Sequence, residues 1–482
     1  MGKGHSDGVV GPRVAGADGC AQPAPSRLTR RALPARWTAA GVPAVLATFA
    51  PPLLAACGAG GPGGSAAGTD TAALSKRPVT LLFEAYASKE EFELWKPALE
   101  RTQQKYPWLS VEPTFVGSGV NPGSYDRWTV AMASDQAPHV MEFETKRMSS
   151  FADRGQLLDL TPYVAKSKVA GRADFLDADW EKTLYKGRQH ILVSVSKPAV
   201  IFYNTELLKR AGVGGLTTKF GDPAWTWDAF VQLTRKLTSG GGANALYGYN
   251  QSTWWVYLQP FVWSNGGDYL NKDRTGGAVD QPEAVEALQR MQDLALKDKA
   301  MPVAANAPEG SPGFENGRVA MTHTNAGGWL PYSKVPDLKF DIAPVPTGKK
   351  GTFARNPPNG WASWSGNKER DNTWLVIEEL VTPETLRNVE GVPARKTQAE
   401  SGDFASATYL KAIGGNWQVL IDSKKSSRDE PVTPYFQDLD KTLNNGAIND
   451  ALWRGQMPVN EWAARAKAKI DAVQQGRGPQ DW

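Results

Sequence analysis

The stretch Ile191–Val213, ILVSVSKPAVIFYNTELLKRAGV, decides the fold. Ile191 to Val195 alternate in the manner of a β-branched strand. Ser196-Lys197-Pro198 interrupts them, because Pro198 has no N–H for a central ladder and biases Lys197 toward extended backbone. A second strand, residues 199–203, follows at once. Asn204 then supplies an N-cap, Glu206 lies in a first helical turn, and Gly212 ends the helix after Lys209 and Arg210. A strand that stops, bends and restarts is what a chain needs to cross between two lobes. The alternative at this point is a bulged strand within one sheet.

Outward from this stretch the pattern is α/β. Residues 79–83 (VTLLF) form a buried-type strand, Phe92, Trp95 and Leu99 recur at helical spacing, and residues 109–115 form a second strand. A helix over 125–134 and a strand over 140–143 follow. This alternation predicts a parallel sheet covered by helices, with ligand bound beyond the carboxyl ends of its strands. Tyr86, Glu142, Glu144, Lys146 and Arg147 fall at such ends. Beyond the central stretch, Thr226 caps a helix with Phe230, Leu233 and Leu237 on its buried face. Residues 282–296 form an amphipathic helix, a strand spans 340–346, and residues 397–482 read as helical.

The chain of 482 residues carries 54 Lys and Arg against 50 Asp and Glu. Residues 1–56 hold six of the basic groups (Lys3, Arg13, Arg27, Arg30, Arg31, Arg36) and two of the acidic ones (Asp7, Asp18), so the remainder balances at 48 of each. A neutral body lacks the main electrostatic term for nucleic-acid binding. Residues 1–56 read as an export signal: Thr29-Arg30-Arg31-Ala32-Leu33 resembles a twin-arginine motif, with Sec export the alternative, and the 20 residues Trp37–Ala56 carry no charge. Leu53-Leu54-Ala55-Ala56-Cys57 resembles the lipobox of bacterial lipoproteins, with the Cys57 thiol as lipid acceptor. Residues 57–75 then form a flexible Gly/Ala/Ser tether. With Cys20 in the leader, Cys57 is left without a disulfide partner.

Several segments together resemble the family 1 extracellular solute-binding proteins of bacterial ABC importers, the group that includes maltodextrin-binding proteins. Gln136-Ala137-Pro138-His139-Val140 is similar to that family's G-x-A-P-D-V, and Gly155-Gln156-Leu157-Leu158-Asp159-Leu160 to its G-x-L-x-D-L. Ile201-Phe202-Tyr203-Asn204, Trp225-Thr226-Trp227-Asp228-Ala229-Phe230, residues 314–321 (FENGRVAM) and residues 343–348 (APVPTG) continue the series in order. The resemblance implies a type II periplasmic-binding-protein-like α/β fold. One lobe would hold residues 76–194 and 352–392, and the other 198–351 and 396–482. Hinge crossovers would lie near 194–198, 350–354 and 392–396. It further implies a monomeric receptor on the extracytoplasmic face of the cell membrane, anchored through Cys57, that closes on its ligand and delivers it to the permease transmembrane subunits.

The ligand expectation rests on aromatic content. The chain's 18 Trp exceed its 16 Phe and 13 Tyr, and a Trp face with a nearby carboxylate or Arg complements the apolar face and hydroxyl rim of a sugar. Trp254 and Trp255 follow a strand of the second lobe. Trp329 follows another, at the position where the resemblance places a sugar-stacking Trp, and Trp361 sits in a Gly-flanked loop. With Tyr86, Glu144, Arg147, Asn265 of an Asn-Gly-Gly-Asp turn, and Arg395 of the last crossover, they make the candidate binding set for a sugar or oligosaccharide. Trp95, Trp128, Trp227 and Trp374, at helical spacing, read as core.

Two other classes remain open on sequence alone. A secreted glycoside hydrolase needs only a pair of carboxylates, and a lipoprotein adhesin needs no cleft. The sequence carries no H-E-x-x-H, G-x-S-x-G or P-loop, and no Cys/His cluster, so neither a cofactor nor a metal is expected.

Overall fold

The computed structural model describes residues 76–85, 92–115, 122–303, 312–389, 391–404, 412–428, 430, 432–444 and 446–482. The export signal, Cys57 and Tyr86 lie outside them.

In chain order the strands are β1 (Val79–Ala85), β2 (Leu109–Phe115), β3 (Val140–Glu144), β4 (Leu184–Tyr185), β5 (Arg188–Gln189), β6 (Leu192–Ser196) and β7 (Ala199–Asn204). They continue with β8 (Tyr247–Gln251), β9 (Val319–Asn325), β10 (Phe340–Ala343), β11 (Ala354–Arg355), β12 (Pro358–Ala362), β13 (Val392–Pro393) and β14 (Ser427–Arg428). Six of them form one sheet in the order β13-β6-β12-β3-β1-β2, and four form a second in the order β10-β7-β9-β8. Two short ribbons pair β4 with β5 and β11 with β14.

The break at Ser196-Lys197-Pro198 thus separates strands of two different sheets: β6 lies inside the first and β7 inside the second. Both strands are buried along their whole length, as apolar runs covered on both faces must be. The chain crosses from the second sheet back to the first between β10 and β12. After β13 it leaves the first sheet again for the helix Lys396–Ser401, whose Ala399 packs in an apolar cluster with Phe202 and Ile342. Asn204 caps the helix Thr205–Arg210, its Oδ1 accepting from the backbone N–H of Glu206 (3.1 Å) and Leu207 (3.0 Å).

The first sheet is mixed rather than parallel. β1, β2 and β3 run parallel, but β12, arriving from the other sheet, pairs antiparallel with both β3 and β6. The local β-α-β-α rhythm could report only the parallel part, because β12 is contributed from more than 200 residues further along the chain than β3.

Two apolar clusters fill the first lobe, one around Phe83, Trp95, Leu192 and Trp361 and one around Tyr125, Trp128, Phe143 and Phe151. The second sheet is covered on one face by the helices Trp227–Leu237, Trp255–Asn265 and Pro282–Leu296, and the tail helices Phe436–Leu443, Gly446–Trp453 and Val459–Gln474 pack into the same cluster. Every residue of Trp255–Asn265 is buried, so its sequence shows no amphipathic period. Among the described residues, no helix is long and apolar enough to cross a membrane.

Candidate functional site

Four of the expected residues converge where the carboxyl end of β3 meets the helix Trp255–Asn265, and a fifth residue, Asp440, joins them. Glu144 ends β3, and the next helix, Thr145–Asp153, starts on the following residue. That turn brings Lys146 and Arg147 back onto the Glu144 carboxylate, with Lys146 Nζ 2.8 Å from Oε1 and Arg147 Nε 3.1 Å from Oε2. Arg147 then reaches out of the first lobe to Asp440 of the helix Phe436–Leu443 at 2.5 Å. The other Asp440 oxygen accepts from Trp254 Nε1 at 2.6 Å, Trp255 Nε1 at 3.1 Å and Asn444 Nδ2 at 2.8 Å. A single carboxylate therefore fixes both indoles and holds the guanidinium of the opposite lobe.

The rest of the site consists of cations laid on rings. The Arg147 guanidinium lies 4.6 Å from the Tyr125 ring and 5.5 Å from Phe436. Lys146 Nζ lies 4.6 Å from the Trp254 ring, and Arg355, from β11, lies 4.7 Å from Tyr257 and 5.6 Å from Trp254. Glu430 pairs with Arg355 and, at 3.6 Å, with Lys146. Glu144, Lys146, Arg147, Arg355, Glu430 and Asp440 are all buried.

The electrostatics follow from these pairs. Burial pushes the Glu144 carboxyl up, but Lys146 and Arg147 outweigh it and bring its pKa down to about 2. Burial lowers the Arg147 pKa, yet Asp440 and Glu144 raise it above its ordinary value. The ring of His323, in contact with Tyr257 and Phe261, is driven down to about 3 by burial and by Arg355, so it stays neutral. Among the described residues no group of three His, Cys, Asp or Glu could hold a metal ion.

Three other expected residues, Trp361, Arg395 and Asn265, are held elsewhere. Trp361 is fully buried in the first lobe's core, 5.0 Å from Phe83 and 4.9 Å from Trp95, because residues 358–362 form β12 rather than a loop. Arg395 is also a core residue. It donates to the carbonyls of Val381 and Val169 at 2.7 Å each, pairs with Asp174 and covers the ring of Phe175. Asn265 ties two helices together, donating to Glu283 O at 2.7 Å and Glu286 at 3.1 Å. Trp329 packs with Val200, Phe202 and Phe340 in the second lobe, and Asn325, which caps the turn leading into it, donates to the Tyr257 hydroxyl at 3.3 Å.

Asp440, Arg355, Glu430 and Tyr257 were not among the expected residues. Asp440 left a signal: Phe436, Leu439 and Leu443 mark the buried face of an amphipathic helix, and Asp440 falls on it. A charge on an apolar face calls for a buried partner.

A fold of two α/β lobes crossed three times, with a polar and aromatic group between them, defines a bilobal binding protein. Residues 86–386 match the model of the bacterial extracellular solute-binding protein family, and the chain belongs to that family. Solved structures share the architecture. An ABC substrate-binding protein of Listeria monocytogenes in complex with cycloalternan is 20% identical, with a TM-score of 0.72 over 83% of this chain and 99% of that one. Maltose-bound MalE3 of T. maritima is 20% identical, with a TM-score of 0.67 over 82% and 99%. UgpB from Mycobacterium tuberculosis in complex with glycerophosphocholine is 16% identical, with a TM-score of 0.69 over 83% and 99%.

Proposed function

We propose that this protein is the receptor of an ABC importer, tethered to the outer face of the cell membrane through Cys57, which binds a sugar or oligosaccharide between its lobes and delivers it to the permease. The observation that carries the ligand part is the Asp440 group: two tryptophans from one lobe and the Glu144–Arg147 pair from the other meet on one carboxylate. The half-buried indole of Trp254 offers apolar surface to a pyranose, with the buried Trp255 packed against Tyr269 and Phe436 behind it, and carboxylates and guanidinium supply hydrogen-bond partners for its hydroxyls. A ligand touching both lobes favours the closed arrangement by its differential affinity for it. The sugar ligands of structural neighbours support the same reading. The binding set we propose is Glu144, Arg147, Trp254, Trp255 and Trp329, joined by Tyr257, Arg355 and Asp440, with Tyr86 kept as an expectation outside the described residues.

Micromolar binding corresponds to about 8 kcal/mol, more than one aromatic contact supplies, so several of these residues must act together. The test is a thermal-shift and tryptophan-fluorescence panel of mono- and oligosaccharides on residues 76–482. At least one sugar should raise the melting temperature and change the emission saturably, without being turned over. A panel that leaves both unmoved sinks the carbohydrate assignment, and turnover of the sugar would replace the receptor reading with an enzyme.

A further inference from the structure

We propose that the cleft takes an electrically neutral ligand and that Glu430 sets this selectivity; the inference rests on the receptor reading above. The ion pairs linked around Trp254 join three cations, Lys146, Arg147 and Arg355, to three anions, Glu144, Glu430 and Asp440. The set is balanced, and all six groups are buried. Two other buried carboxylates on this side of the first lobe are held separately: Glu84 by Arg127 and by Trp128 Nε1 at 2.6 Å, and Glu142 by Asn359 Nδ2 at 3.2 Å.

Two consequences follow for a bound molecule. An anionic ligand meets cations that already have buried carboxylate partners, so its charge adds to a neutral set and goes uncompensated where water is excluded. A cationic ligand, which would otherwise be drawn to an aromatic face, meets Trp254 and Tyr257 with the protein's own Lys146 and Arg355 over them. A neutral polyol escapes both penalties. Its hydroxyls accept from the cations and donate to the carboxylates while the ion pairs persist. Glu430 is the deciding group because it is the carboxylate paired with Arg355 and the second one, after Glu144, on Lys146, the two cations over Trp254 and Tyr257.

The experiment compares each neutral sugar that binds residues 76–482 with its uronic acid, 6-phosphate and 2-amino counterparts by calorimetry. The neutral form should bind at least about tenfold more tightly than each charged one. A charged form that binds as tightly as the neutral one overturns the inference and leaves the sugar receptor standing. A panel in which nothing binds, neutral or charged, overturns both. Glu430→Gln leaves the set one positive charge in excess and should shift the uronic-acid-to-neutral affinity ratio by about tenfold toward the acid. If Glu430→Gln weakens all sugars equally, Glu430 does not set the selectivity. Should that variant fail to fold, Arg355→Gln carries the opposite expectation, a shift toward the amino sugar, and an unchanged ratio there overturns the assignment.

Discussion

At the scale of single residues, position in the fold is most legible where a residue sits just past a strand end. Glu144 and Arg147 were legible because β3 is short, apolar and followed by charge, so the chain direction alone puts them at the rim of the sheet. Trp361 misled for a physical reason. Gly360 suggested a loop, but it is a strand glycine: a Cβ there would come within 2.3 Å of Leu192 O, and the β12–β6 register shifts beside it. Glycine in that strand marks close backbone approach rather than a turn. Asp440 stayed hidden because its partners are far apart in sequence, at Arg147, Trp254 and Trp255. Its role can be tested with Asp440→Asn. The amide keeps one acceptor oxygen and loses the charge, so Arg147 loses its counter-ion from the second lobe. Removing one partner of a buried pair costs about 3–5 kcal/mol. The expected result is a loss of that size in chemical denaturation, with altered tryptophan emission in the folded state and weakened sugar binding. A variant as stable as the wild type would mean that Asp440 does not organise the group.

At the scale of elements, strands and amphipathic helices were readable and buried helices were not. The helix Pro282–Leu296 has apolar positions at helical spacing on one side, and the structure gives it the bounds expected from sequence. The helix Trp255–Asn265 is buried on every side and contains Pro260, so neither periodicity nor propensity announces it. The crossovers differ among themselves in the same way. The first is marked in sequence by Lys197-Pro198 between two apolar strands. The third is not free at Arg395, since that side chain binds the carbonyls of Val169 and Val381, and Ala394 N–H bonds to Ser194 O at 2.8 Å. The chain therefore stays attached to the first lobe through Arg395 and departs after it. Arg395→Gln should lower stability by about 1.5–3 kcal/mol, the range for a lost hydrogen bond to a charged group. The sugar dissociation constant should stay within a factor of about two, because Arg395 lies in the lobe rather than against the ligand. Denaturant unfolding and calorimetry on the same preparation check both. A large loss of affinity without loss of stability would return Arg395 to the binding set.

At the scale of the whole molecule, the order of segments carried more than any one of them. No single motif requires two lobes, and the broken strand alone also fits a bulge in one sheet; it is the resemblance of successive segments to one family, in that family's order, that implies two. What the body cannot specify is where it works, and that depends on residues 1–75. In the proposed arrangement Cys57 carries the lipid and residues 58–75, rich in Gly, Ala and Ser, separate the anchor from β1. The arrangement depends on one sulfur atom. Cys57→Ala should abolish palmitate labelling and move the protein from the membrane fraction to the medium, with sugar affinity unchanged because the cleft lies far along the chain from the tether. Persistent labelling of the variant would place the lipid elsewhere or remove it from the account. Loss of labelling with continued membrane retention would point instead to the uncharged stretch Trp37–Ala56 as an uncleaved anchor.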